Sequence, residues 1–65
     1  MKEYFVQVKG YKWFNVGIAY VSTDQEFLDS YEEVLAMVKS KNPDIANEEF
    51  RGIKRETIIT DTVLT

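Results

Sequence analysis

Tyr4-Phe5-Val6-Gln7-Val8-Lys9-Gly10-Tyr11-Lys12-Trp13-Phe14-Asn15-Val16-Gly17-Ile18-Ala19-Tyr20-Val21 decides the fold of this chain. Tyr4, Val6 and Val8 alternate with Phe5, Gln7 and Lys9, and the period of two predicts a strand over residues 3–9. The alternation resumes over residues 13–21, which predicts a second strand and, with Gly10-Tyr11-Lys12 as the connection, a β-hairpin. Gly10 is expected to supply the positive φ that tight hairpin loops need.

The second strand admits two phases. Phe14, Val16, Ile18 and Tyr20 form its bulky side, while Trp13, Asn15, Gly17, Ala19 and Val21 form a side with small residues in its middle. Burial of β-branched residues favours the bulky set facing the core. In the opposite phase, Gly17 and Ala19 would admit a helix at close range.

Working outward, Ser22-Thr23-Asp24-Gln25 is a polar break. Two capping-box patterns follow, Thr23 with Glu26 and Ser30 with Glu33, so the helix start is open between two offsets. Phe27, Leu28, Tyr31, Val34, Leu35 and Val38 recur at helical spacing and predict one buried stripe on a helix over 27–41. Asn42-Pro43 stops it, because the residue before proline avoids the α region. Residues 44–50 read as a loop or single turn anchored by Ile45 and Phe50. Gly52 then releases a β-branched run, expected to form a strand over 53–64 with a possible interruption near Thr60-Asp61.

The resulting class is α+β, in the order β-β-α-β, within a single domain spanning residues 1–65. A helical crossover returns the third strand parallel to the second, so it lies beside the first, giving a three-stranded antiparallel sheet of order 2-1-3 with strands 2 and 3 at its edges. One helix covers one face, and the other face is expected to be bare in a monomer.

Sixty-five residues make a small core. The chain has no Cys and no His, which removes disulfides and the usual structural metals as staples. No D-x-D-x-D-G loop supplies a carboxylate metal site, and no cofactor is implied. Oligomerisation remains as a support. The cysteine-free composition fits a reducing compartment, and the N-terminal residues lack the apolar core of a signal peptide, so a cytoplasmic setting is expected. No segment approaches the roughly 18 apolar residues of a membrane span.

Catalysis is not expected, since there is no His, Cys or glycine-rich phosphate loop, and Glu32 and Glu33 diverge on a helix. The expected role is a non-catalytic protein-interaction module, self-associating or binding another protein through the uncovered sheet face or an edge strand. Phe5, Tyr11 and Trp13, with Lys9 and Lys12, are the candidate contact residues, because aromatics of these types anchor interfaces. The competing view of the same residues is a Phe5–Trp13 cross-strand pair shielded by the Lys9 and Lys12 stems.

Charge separates the remaining partner classes. Residues 1–21 carry a net +2, residues 22–50 a net −6 and residues 51–65 a net +1, within a total of −3. A weak strip of Lys9, Lys12, Lys54 and Arg55 argues against nucleic acid, leaving weak single-strand binding as a minor alternative. The acidic helix face of Asp29, Glu32 and Glu33 is ordinarily a solvated surface. Its alternative use is inhibition of a basic, nucleic-acid-binding protein.

Overall fold

The computed structural model describes residues 2–56 and 60–65. In chain order they form β1 (Lys2–Lys9), β2 (Trp13–Ala19), α1 (Asp24–Lys41), a 3₁₀ turn at Pro43–Ile45, β3 (Phe50–Glu56) and β4 (Thr60–Val63). The sheet is antiparallel and has the order β2-β1-β3-β4.

The α+β class, the hairpin and the neighbouring of strands 2, 1 and 3 agree with expectation, but the sheet has four strands and not three. β3 ends at Glu56, opposite Lys2 of β1. The chain instead returns as β4, with Arg55 opposite Asp61 and Glu56 opposite Thr60. Thr57, Ile58 and Ile59 of the expected strand lie outside the described residues. β3 also starts earlier, at Phe50, so Gly52 sits inside the strand. β3 is therefore an interior strand, and the edges are β2 and β4.

The helix begins at the earlier of the two offsets. Thr23 Oγ1 accepts from the Glu26 N–H at 3.2 Å, and Glu26 Oε1 reaches back to the Ser22 N–H at 3.2 Å. Ser30 lies within the helix and donates to the Glu26 carbonyl, an ordinary use of a mid-helix serine. At the other end both the backbone and the side-chain nitrogen of Asn42 donate to the Val38 carbonyl.

Strand β2 follows neither phase throughout. Its register against β1 slips between Val6 and Gln7, leaving Val16 as the extra residue of a β-bulge. Before the bulge the bulky phase holds, with Phe14 beside Val8 on the helix side. After it the phase reverses: Gly17 and Ala19 face α1, while Ile18 is 51% and Tyr20 92% exposed. The preference for a bulky inner face is thus overturned in the second half of the strand by one inserted residue.

Gly17 and Gly52 both pair with Val6, so one row across three strands reads Gly-Val-Gly beneath the helix. A Cβ at Gly52 would lie 2.6 Å from Phe27 Cε2 and 2.9 Å from Tyr31 Cε1, and one at Gly17 would lie 2.7 Å from Val38 Cγ2. The first half of α1 is therefore seated over β3 and the second half over β2, so the helix crosses the sheet obliquely. Around this row Tyr4 stacks on Phe27 with ring centroids 5.2 Å apart, and Phe27 meets Tyr31 edge-on at 5.8 Å. Val34, Leu35, Phe50 and Leu64 pack at the margins of the core. Gly10 differs from expectation: its φ lies outside the left-handed region, and its value is room, since a Cβ there would stand 3.0 Å from Phe14 Cε2.

Gly52→Ala should cost about 1–3 kcal/mol, because the fully buried Phe27 ring has nowhere to retreat. Gly17→Ala should fall at the low end of that range. Chemical denaturation checks both, and a Gly52→Ala protein as stable as the parent would refute the close seating of α1.

Candidate functional site

The sheet face away from α1 carries Glu3, Phe5, Gln7 and Lys9 from β1, Trp13, Asn15 and Ile18 from β2, and Arg51, Ile53 and Arg55 from β3. A bare face was expected here, and its centre is instead closed. Phe5 is 6%, Gln7 5% and Ile53 0% exposed. The cover comes from long side chains of neighbouring strands lying flat across the sheet. The Arg55 guanidinium sits 5.0 Å from the Phe5 ring centroid, and that of Arg51 sits 4.1 Å from the Trp13 centroid.

A polar ladder fixes this arrangement. Arg51 Nε donates to Gln7 Oε1 at 2.8 Å, and Gln7 Nε2 donates to Asn15 Oδ1 at 2.8 Å, linking three strands through one buried amide. Arg55 is held by a two-point contact with Asp61, at 2.8 and 3.1 Å. Among the described residues, no buried side-chain nitrogen or oxygen lacks a partner.

The residues proposed from sequence are therefore dispersed. Phe5 is covered and pairs with Ile18, while Trp13 is half-buried and pairs with Lys9, so Phe5 and Trp13 are not cross-strand partners. Their shields are Arg51 and Arg55 and not Lys9 and Lys12; the Lys12 ammonium lies over Phe14, 5.3 Å from its centroid. Tyr11 is 90% exposed at the hairpin tip, edge-on to Phe14. Lys9 is exposed beside Trp13. Asp29, Glu32 and Glu33 are exposed on α1, with Asp29 accepting from Gln25 at 2.8 Å.

A second cluster, unforeseen from sequence, ties the start of α1 to the sheet. Tyr4 Oη donates to Asp24 Oδ1 at 2.7 Å, and Lys54 Nζ donates to Asp24 Oδ2 at 3.0 Å while lying 3.4 Å from Glu56 Oε1. The Tyr4 hydrogen bond, followed by that of Lys54, holds the Asp24 carboxyl below its ordinary value. Burial, then the bond to Asp24, raises the Tyr4 phenol; the bond to Asp24 raises the Lys54 ammonium against the opposing effect of burial. Both Asp24 oxygens are engaged by these partners, which makes the cluster a clasp between helix and sheet. Among the described residues, no group of three or more carboxylates converges as a metal site.

A concavity lies along the free edge of β2. It has a volume of about 560 Å³, with Val16, Gly17 and Ile18 of the strand on one side and Val34, Met37 and Lys41 of α1 on the other. Sequence reasoning missed it because it arises from the oblique crossing of α1, which depends on Gly17 and Gly52 being cross-strand neighbours of one residue. No described helix is long and apolar enough to cross a membrane.

No protein-family model matches the chain, and comparison with curated proteins and with solved structures finds no match.

The clasp predicts the shape of the stability–pH curve. Asp24 and Asp61, both held below the ordinary 3.8, stabilise the fold fully above that value, and the contribution is lost as pH falls through their lower folded values. Tyr4 and Lys54, both raised, contribute fully below pH 10 and lose that contribution as pH climbs past their raised values. Thermal melts from pH 2 to 12 should show an acid and an alkaline limb. Asp24→Asn should lower the plateau and flatten both limbs; limbs as steep as those of the parent would contradict the clasp.

Proposed function

We propose that this chain is a non-catalytic protein-interaction module that self-associates through the free edge of β2. The observation that carries the reading is the chemistry of that edge. Its seven residues, Trp13-Phe14-Asn15-Val16-Gly17-Ile18-Ala19, include no charge and no proline, and unpaired strand edges usually carry one or the other as a guard. The Val16 bulge is the one guarding device on the strand itself. The other edge, β4, is four residues long and carries Asp61 engaged by Arg55.

Three further features support the edge over the open sheet face. The face spends its arginines and aromatics on one another, whereas the edge adjoins an apolar groove that side chains of an added strand could enter. Ile18, Tyr20 and Met37 are exposed at the rim of that groove. The chain also has no disulfide or histidine to support its small core, which gives association a stabilising role. A reducing, cytoplasmic setting belongs to the same proposal, resting on the absence of cysteine.

Light scattering and sedimentation from micromolar to millimolar concentration test this. The parent protein should gain mass with concentration, and its melting temperature should rise with it. Ile18→Lys, at an exposed edge position, should keep the fold and suppress the association. A strict monomer with a concentration-independent melt would sink the proposal.

A further inference from the structure

The flank of α1 that walls the groove carries a charge pattern that is complementary to itself. Glu33, Met37 and Lys41 are four residues apart and stack along one side of the helix. Met37 is 57% exposed, and within the described residues neither Glu33 nor Lys41 has an ion-pair partner. We propose that this flank meets its own copy across a two-fold axis, with Met37 against Met37 and Glu33 of each copy beside Lys41 of the other. The inference rests on the association through β2 proposed above and specifies its geometry.

An axis normal to the sheet reverses strand and helix together. It makes β2 antiparallel to a second β2, which is the pairing that free edges accept most readily, and makes the two α1 helices antiparallel. In an antiparallel helix pair centred on Met37, the residue four before it in one copy faces the residue four after it in the other. The acidic residue and the basic residue occupy those two positions. Charge complementarity of this kind selects a second copy over an unrelated strand.

The spacings are compatible. Paired strands stand about 4.8 Å apart and packed helices about 8–10 Å, so each α1 must sit inboard of its own β2. Val38 and Val34 lie over Gly17 of β2, and α1 contacts β1 as well as β2, which seats it between the two strands. Val38 is the neighbour of Met37 in sequence, so a single axis passes beside Gly17 in the strand and Met37 in the helix.

Met37→Cys creates a unique thiol in a chain without cysteine. A short bismaleimide should join two such copies rapidly, while Leu28→Cys, on the opposite flank of α1, should react without joining. Lys41→Glu should weaken the dimer about tenfold, as expected for replacing two exposed attractive pairs by repulsive ones. The Glu33→Lys/Lys41→Glu double variant should recover parental affinity, and circular dichroism confirms that each variant is folded. If the parent protein dimerises but Leu28→Cys joins as readily as Met37→Cys, or the double variant does not recover, this geometry is wrong and association through β2 stands. A parent that never dimerises removes both.

Discussion

The close seating of α1 on the row Gly17–Val6–Gly52 is the constraint from which the rest of the structure follows. Helix and sheet can approach this far because two cross-strand neighbours of one buried valine have no side chain. The two gaps are filled by different parts of the helix, aromatic rings over Gly52 and a valine over Gly17, so the helix is steered diagonally. That diagonal brings Asp24 to Tyr4 and Lys54 at one end and leaves the groove beside β2 at the other. One packing decision thus sets both the clasp and the concavity.

The face opposite the helix shows how a two-layer domain of this size closes a second surface without a third layer. Trp13 and Phe5 are shielded by guanidinium groups laid flat on the sheet, and these are fixed by a buried glutamine on one strand and a carboxylate on another. Arginine suits this task because its planar, weakly hydrated head stacks on rings while its edges still donate hydrogen bonds. Arg55 is offset by the Asp61 carboxylate, while Arg51 bonds a neutral amide and keeps its charge on this face.

Much of the architecture was legible in the sequence. The period-two alternation gave the hairpin, the helical spacing from Phe27 to Val38 gave the buried stripe apart from Leu28, which is 41% exposed, and the crossover put strand 1 between strands 2 and 3. What was not legible has a common cause in pairing between distant residues. The Val16 bulge is defined only by its register against β1, and so the phase reversal in β2 has no local signal. Likewise β4 is defined only by its pairing back onto β3, with Ile53 opposite Val63 and Arg55 opposite Asp61. Among the candidate contact residues, Phe5 and Trp13 were read as neighbours from their shared face, yet they pair with Ile18 and Lys9. The arginines that cover them come from β3, whose register against β1 no local pattern in the hairpin specifies.

The two borders of the sheet are unlike, and that asymmetry bears on growth. A sheet with two receptive borders can add copies at both and extend without limit, as fibres do. Here one border is long, uncharged and interrupted only by the Val16 bulge, and the other is a four-residue strand with its aspartate engaged and Thr65 folded back onto Gly52 through backbone hydrogen bonds. In the language of polymerisation the described residues offer such a unit a valence of one. On the self-association proposed above, joining through that border would leave no second receptive border among the described residues, so copies would pair and not extend.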